Sequence, residues 1–566
     1  YQPPLNLYTA KIRVRKGFRN MTFADELKKI QAAYPYLTAD NLDEINRDAD
    51  GELENIRTLC TELHNAKTYP VVVYPDFDCD GIMAGTILNA GLNQLGFDVK
   101  LYVPDASAGY GLQHEQIDVI KDYFPTAKTI ITCDTGITAF EPVDYAQSIG
   151  YTVLITDHHQ QSGELPRAKV IVDPCQKSDP FPFKSICGAY VAFKVVQTYA
   201  EMYMPEQLDA INQLVMFAAI GTVGDSMDLK YNSRVCVMDG LKRMHELVKV
   251  RFRDGFFVQE YNDALFGLYT LVKSLITDKK KSLTAESFGF YVVPVLNSCK
   301  RMGADMHVAF DVFRNEIHNI DELIALNDER KSVTDNIFKS VTSPLAKASG
   351  EQPYAPMAYF IDTPYAIAGL IANKIMGANH TPTLVLSRNM DGTLHGSARS
   401  PEWLNYRTLL RDCGASADGH AQACGVTFES EEALKRALES ITYYLKEVTP
   451  TNKEYVEPNY PTLDKDVDVS LICDFINNGE PYGKGFEKPK IRMVVNESDI
   501  YEMRCLGKNH EHLKITLNNG LVFMAWNTKS LGNIVGKQIE VVGDPGLNEW
   551  MGNVTPQIIG SLKVLD

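Results

Sequence analysis

From Tyr69 onward, short β-branched apolar runs alternate with segments of helical periodicity: VVVY at Val71, KLYV at Lys100, TIITC at Thr129, YTVLIT at Tyr151 and KVIV at Lys169. Apolar runs of that length, separated by helix-long intervals, predict a parallel α/β sheet whose crossover helices bury both faces. Residues 1–67 ahead of it are polar and charge-mixed, with helical stretches such as Phe23 to Ala33, and read as a helical lead-in without chemistry of its own. Cys187 to Val223 reads as buried helices that complete a first α/β domain over 68–260. Ala264 to Leu345 is largely helical, as expected of a connector between lobes over 261–350. A second, smaller α/β unit over 351–449 follows, with strands YFI at Tyr359, TLVLS at Thr383 and LHGSARS at Leu394, a helix Ile367 to Met376 and a closing helix Glu431 to Lys446. The polar, proline-containing stretch Thr449 to Pro461 reads as a linker. Beyond it, over 462–566, KITL-NNG-LVFMAW and KQIEVVG alternate apolar and polar positions around Gly/Asn turns and predict a small β-barrel.

A chain of 566 residues accommodates roughly three or four domains at a soft prior of about 150 residues each, in keeping with that segmentation. With 45% hydrophobic and 23% charged residues, a disordered, collagenous or membrane-embedded chain is excluded as the dominant state. No window approaches the ~18 consecutive apolar residues of a membrane span. The basic start around Lys11, Arg13, Arg15 and Lys16 lacks the apolar stretch of a secretory signal, so a cytoplasmic location is expected. The 11 cysteines are scattered singly, which supports neither a disulfide framework nor a cysteine zinc site and fits a reducing compartment. The net charge of -16 argues against non-specific coating of nucleic acid, although a local basic channel stays compatible with it. Clustered carboxylates that bind cations would add to such an excess.

Four groups of acidic residues and histidines carry the candidate chemistry. DFDCDG (Asp76, Asp78, Asp80, Gly81) follows VVVY, CDTGI (Asp134) follows TIIT, DHH (Asp157, His158, His159) follows VLIT, and GTVGD (Asp225) follows a buried helix. In an open α/β sheet the ligand crevice lies outside the carboxyl ends of the strands, so these segments can converge. One DxDxDG would be as well explained as a surface turn, because Asp and Gly favour turns; four such motifs in order at strand ends are not. Crowded aspartates need compensating positive charge, and oxygen ligands with one or two imidazoles suit Mn2+ or Mg2+ better than zinc. If one carboxylate bridges, two ions fit, and such a pair activates water for phosphoester hydrolysis. Gly81, ahead of a helix expected to start near Ile82, would leave backbone N–H groups facing an anion.

In these motifs and their order the sequence resembles the DHH phosphoesterase superfamily, and within it the RecJ family of single-strand-specific exonucleases. The resemblance runs from about Pro70 to the C-terminus. It extends to PVLNSCKRMG at Pro294, AIAGLIANKI at Ala366, HGSARS at His395, DGHAQACGVTF at Asp418, EPYGKGFEKP at Glu480 and LNEWMGNVTPQ at Leu547. It implies a DHH catalytic domain, a DHHA1 domain as the smaller α/β unit and an OB-like barrel at the C-terminus. It also implies Asp78 and Asp134 on one metal, and Asp80, Asp134, His158 and Asp225 on the other, with Asp134 as the bridge. His159 would face the scissile phosphate and Asp157 would orient the site. Arg301, Arg399, Gly419 and His420 would contact phosphate or nucleotide. The chain departs from the family pattern at Tyr74, where many members have His, so that either Asp76 substitutes as a ligand or the first metal binds weakly, at Val295, where an arginine is lost, and at Asp418, which would add negative charge near the nucleotide pocket.

The resemblance implies 5′-to-3′ hydrolysis of single-stranded DNA to 5′-mononucleotides in repair and recombination, Mn2+ or Mg2+ as a pair of ions, a monomer, and a single-strand-binding protein as a partner. In the barrel region Tyr482, Phe486, Phe523, Trp526 and Trp550 interleave with Lys484, Lys488, Lys508, Lys514 and Lys529, which suits base stacking along a threaded strand. The same aromatics would equally fill a barrel core. His510 and His512 read as surface residues, and Lys279 to Lys281 as a solvated turn. Two other readings stay open: a phosphodiesterase of the same superfamily acting on short oligonucleotides or cyclic dinucleotides, and a catalytically silent replication scaffold.

Overall fold

The computed structural model describes residues 21–565 apart from 50, 106–108, 110, 162, 250–262, 344, 347–349, 351, 364, 449–459, 508, 509, 527, 529, 530, 533, 551 and 552. Most of the linker read at Thr449 to Pro461 therefore lies outside the described residues, as do Lys508 and Lys529. The chain divides into two compact units, one of residues 45–453 with 481–486, the other of the N-terminal segment to residue 44 with 454–480 and 487–566.

In the larger unit five parallel strands, β1 (Val71–Pro75), β2 (Val99–Leu101), β3 (Thr129–Cys133), β4 (Thr152–Thr156) and β5 (Val170–Val172), pair in the order β2-β1-β3-β4-β5. The central strands are buried from end to end, as parallel strands covered on both faces must be. Each fully buried Val or Ile of VVVY, TIIT and VLIT contributes about 1.5–3 kcal/mol by leaving water. The strand order reverses between β1 and β3, so a crevice opens at their carboxyl ends, where no crossover helix covers the gap. Helices Gly188–Tyr203 and Val215–Gly224 pack behind that crevice and are apolar nearly all round, as buried helices are.

The connector runs from Asp263–Val272 through a widened turn, Lys273–Thr277, to the 23-residue helix Asn319–Val341. The second lobe is a mixed sheet of β6 (Ala358–Phe360), β7 (Thr383–Arg388), β8 (Leu394–Arg399), β9 (Ser416–Gly419) and β10 (Ala423–Phe428), ordered β6-β7-β8-β10-β9. DGHAQACGVTF forms the β9–β10 hairpin, with Gly419 and His420 at its turn. The turn is made possible by Gly419 at φ 122°, a conformation that L side chains rarely adopt. The lobe closes on a core that includes Leu384, Leu386, Tyr406, Phe428 and Ile441.

In the smaller unit β11 (Thr462–Leu463), β12 (Ile491–Asn496), β13 (Ile500–Leu506), β14 (His512–Leu517), β15 (Val522–Ala525), β16 (Gln538–Trp550) and β17 (Asn553–Leu565) pair in the linear order β11-β12-β16-β17-β15-β14-β13. Among the described residues this sheet is strongly elaborated but unclosed. Its inner face is lined by Ile491, Met493, Ile515, Phe523, Ile539 and Ile558. Residues 21–44, read from sequence as part of one lead-in, belong to this unit. Lys29 Nζ donates to the Thr462 carbonyl at 3.2 Å and Tyr34 Oη to the Lys490 carbonyl at 2.8 Å. Helix Ile56–Ala66 belongs instead to the larger unit, burying Ile56, Leu59, Cys60 and Leu63. Among the described residues no helix is long and apolar enough to cross a membrane.

Candidate metal centre

All the acidic motifs open into the crevice at the strand-order reversal. The loop after β1 leads straight into helix Cys79–Gln94, capped by Asp78, whose carboxylate accepts from the Asp80 and Gly81 N–H groups at 3.0 and 3.3 Å. The Cys79 N–H donates to Asn297 Oδ1 at 2.8 Å. These N–H groups are thus satisfied inside the protein, which corrects the expectation of an anion seat beside Gly81. The helix also starts three residues earlier than the expected Ile82. Gly81 serves packing: a Cβ there would lie 2.3 Å from the Asp76 carbonyl oxygen.

Asp134 follows β3 in the left-handed region, φ 61°, uncommon for a non-glycine residue and of the kind that surrounding structure must hold in place. Its N–H is tied to the Thr156 carbonyl at 3.0 Å. A Cβ on Gly188 would come within 2.6 Å of its side chain, and one on Gly221 within 2.4 Å of Asp80 Oδ1. Two buried helices therefore approach the carboxylates only because they carry glycine there. Asp80 accepts from the Gly188 and Ala189 N–H groups at 2.7 and 3.1 Å, the N-terminus of helix Gly188–Tyr203.

The ligand atoms fall into overlapping groups, each within 4.8 Å: Asp80, His158 and Asp225; Asp76, Asp78 and Asp134; and Asp134, His158 and His159. His158 Nε2 lies 3.1 Å from Asp134 Oδ1, 3.6 Å from Asp225 Oδ2 and 3.7 Å from Asp80 Oδ2. Asp76 Oδ1 is buried without a hydrogen-bond partner. An orphaned carboxylate oxygen among like charges is destabilising as it stands and is satisfied by a hard cation. The donor set, mostly carboxylate oxygen with imidazole and no thiolate, fits Mn2+ or Mg2+.

Burial pushes Asp76 up to about 7 and raises Asp80; burial, then the surrounding carboxylates, raise Asp134 and Asp225 well above the usual carboxylate range. Cations must therefore displace protons to bind. Without metal, a raised folded-state value such as that of Asp76 contributes stability that is complete below its ordinary 3.8 and lost as pH rises through about 7. Mn2+ is accordingly expected to raise the thermal midpoint more at about pH 8 than at about pH 6, because Asp76, held up to about 7, is deprotonated at the higher pH. Differential scanning fluorimetry with and without Mn2+ checks this; an equal gain at both pH values would contradict it.

Asp157 is saturated as an acceptor. Its Oδ1 takes the His158 N–H, the His159 N–H and His159 Nδ1 at 2.8, 3.2 and 2.7 Å, and its Oδ2 takes the Ile137 N–H at 2.9 Å. Burial would lower the His159 imidazole, yet the Asp157 hydrogen bond and charge hold it up to about 10. The carboxylate thus orients the ring through Nδ1. Burial lowers His158 instead, which keeps it neutral and suited to metal ligation.

Across the crevice, Arg301 Nη1 donates to the Ala366 carbonyl at 2.6 Å, and Arg399 Nη1 to Ser397 Oγ and the Ala398 carbonyl, both at 2.7 Å. Burial, followed by the charge of Arg301, lowers Arg399. Neither guanidinium has a carboxylate ion-pair partner among the described residues, which leaves both free to face an anion. His420, on the β9–β10 turn, is only partly covered; that partial burial, then the charges of Lys484, His159, Arg407 and Arg399, lower its imidazole. Gly419 offers its carbonyl to Arg407 Nη1 at 2.6 Å. Asp418 turns outward to Arg411 at 3.2 Å and is exposed, which corrects the expectation that it charges the pocket. Tyr74 is buried and donates to the Gly111 carbonyl at 2.8 Å, away from the ligand groups.

Residues 481–486, read from sequence as part of the barrel, cluster with the larger unit. Tyr482 and Phe486 are buried and stacked at 5.4 Å, with the fully buried Arg234 guanidinium 4.1 Å over Phe486. Lys484 extends toward Asp228 at 3.7 Å. Of the remaining strand-binding candidates, Phe523 is core, whereas Trp526 is half exposed beside a cavity of about 320 Å3 that Lys514, Met524 and Gln557 also line, and His512 meets its ring edge-on. His510 is exposed, as are Lys279 and Lys280, while Lys281 lies 3.2 Å over the Tyr291 ring. Sequence reasoning missed Asn297 and Lys300. Both sit beside Arg301 in PVLNSCKRMG, and their adjacency to it is the one available signal.

The profile of the DHH family N-terminal domain matches residues 70–222, that of the DHHA1 domain 356–447, and that of the RecJ OB domain 464–561. The chain is 27% identical over 508 residues to the single-stranded-DNA-specific exonuclease RecJ of Bacillus subtilis, covering 86% of this chain and 60% of that protein. It is likewise 27% identical over 523 residues to RecJ of Salmonella typhimurium, covering 86% of each. A crystal structure of Thermus thermophilus RecJ with Mn2+ superposes with a TM-score of 0.72 at 22% identity, over 95% of this chain and 76% of that one, and shows a shared fold.

Proposed function

We propose that this chain, which belongs to the RecJ family of DHH phosphoesterases, is a metal-dependent exonuclease that degrades single-stranded DNA from a 5′ end and releases 5′-mononucleotides. The observation that carries the reading is the convergence of Asp76, Asp78, Asp80, Asp134, His158 and Asp225 into overlapping ligand groups linked through Asp134 and His158, with two guanidiniums, Arg301 and Arg399, that have no carboxylate ion pair among the described residues. When bound, a pair of Mn2+ or Mg2+ ions supplies Lewis acidity and a nucleophilic water at neutral pH.

In this reading Asp78 and Asp134, aided by Asp76, hold one ion, and Asp80, Asp134, His158 and Asp225 the other. Asp157 fixes the His159 ring so that Nε2, protonated at neutral pH, donates to an oxygen of the scissile phosphate. Arg301 from the connector and Arg399 from the second lobe hold the phosphate, and Gly419 and His420 border the terminal nucleotide. Trp526 with Lys514 provides a stacking and charge platform for bases of single-stranded DNA. The protein works as a cytoplasmic monomer, with a single-strand-binding protein as its partner.

Single-stranded DNA carrying a label at one end, with the 5′ or the 3′ end blocked, tests the proposal in Mn2+, Mg2+ or chelator. Release of mononucleotides that requires a free 5′ end and a divalent ion is expected. Intact long strands alongside cleaved dinucleotides would replace it with a phosphodiesterase of short substrates.

A further inference from the structure

The two halves of the centre differ in their nearest protein cation. Lys300 Nζ lies 4.0 Å from Asp76 Oδ2 and 3.9 Å from Asp78 Oδ2, and 4.6 Å over the Phe77 ring. Its backbone is pinned. Asn297, just before helix Ser298–Met302, accepts from the Cys79 N–H; Ser298 Oγ donates to the Val295 carbonyl at 2.6 Å; and the next residue, Arg301, is tied to the Ala366 carbonyl. The ammonium is largely covered, with 29% of the side chain exposed. In contrast, among the described residues Asp80 and Asp225 face the His158 imidazole at 3.7 and 3.6 Å, with the charges of His159 and Lys484 also reaching Asp225.

Building on the metal centre proposed above, we infer that Lys300 is a built-in cation of the Asp76/Asp78 half, lowering that half's affinity for a divalent ion so that the Asp80/His158/Asp225 half fills first. A fixed positive charge about 4 Å from the ligand oxygens repels a divalent ion placed between them. In a partly buried site that repulsion exceeds the free energy of a tenfold change in affinity. The same charge partly neutralises Asp76 and Asp78 while that half awaits its ion. Lys300 is a positioning residue in this sense, setting the order of loading.

Titration calorimetry of the full chain with Mn2+ alone, with parallel electron paramagnetic resonance of bound Mn2+, tests the inference without DNA. Wild type is expected to show one tight and one weak class of ion. Lys300→Met should tighten the weak class by about tenfold or more, and bring the spin-coupled signal of paired ions to lower Mn2+ concentration, while the tight class stays put. Lys300→Arg, which keeps the charge, should remain close to wild type; Lys300→Gln replaces the Met variant if that one melts early in chelator. A weak class unmoved by removing the charge, or moved equally by Arg, overturns the inference and leaves the proposed function standing. Absence of any Mn2+ binding overturns both.

Discussion

Asp134→Asn is expected to lower hydrolysis of single-stranded DNA by about a thousandfold or more, the largest effect of any single substitution in this protein. Asp134 is the carboxylate that belongs both to the Asp76/Asp78 group and to a group with His158, so an amide in its place removes an anionic oxygen from two cation positions at once. Its left-handed backbone suits Asn as well as Asp, so the substitution adds no conformational strain. Burial and the neighbouring aspartates already disfavour its charge, and the neutral amide relieves that repulsion. The thermal midpoint in chelator should therefore be unchanged or higher than in the parent, while the gain on adding Mn2+ shrinks. Activity and melting are measured on the same samples. Substantial hydrolysis with normal Mn2+ stabilisation would remove Asp134 from the bridging position.

His159→Gln is expected to reduce kcat by about 10²- to 10⁴-fold with a smaller change in KM. Asp157 takes the Nδ1 hydrogen and both neighbouring N–H groups, so the imidazole is held through Nδ1, and its ring lies near that of His158 at a centroid separation of 4.6 Å. Glutamine matches neither the ring's rigidity nor its charge. The Asp80, His158 and Asp225 group is left intact, so Mn2+ stabilisation should persist. That retained metal response separates His159 from Asp134: loss of both activity and Mn2+ stabilisation would make His159 a ligand rather than a partner of the phosphate. Asp157→Asn should reproduce the kcat loss in part, since it frees the ring without removing it.

The DHH-lobe residues of this site were legible because their information is local. DFDCDG, CDTGI and DHH each follow an apolar run whose composition specifies a buried strand, and strand ends in a parallel sheet point to one edge. Asp225 was legible by motif alone, since it ends a helix, Val215–Gly224, and reaches the crevice only through packing of that helix behind the sheet. The Asp78 cap, which closes the supposed anion seat, depends on a carboxylate choosing its own helix N-terminus and on Asn297 arriving from far along the chain. Spacing carries no trace of that choice.

The same distinction applies to the aromatics near the C-terminus. Tyr482, Phe486, Phe523 and Trp526 look alike in sequence, each beside a glycine, a lysine or an apolar run. Two are buried against Arg234 in the larger unit, one fills the core of the smaller unit and one is half exposed. By itself the sequence determined the elements, the parallel sheet and the chemistry of an oxygen-rich cation site, because periodicity and motif order are properties of neighbouring residues. Only the tertiary structure decided which N–H groups were already taken, that Lys300 stands over Asp76 and Asp78, and which aromatics face solvent. Those outcomes are set by burial and by contacts between segments hundreds of residues apart, where packing and charge compete without leaving a local pattern.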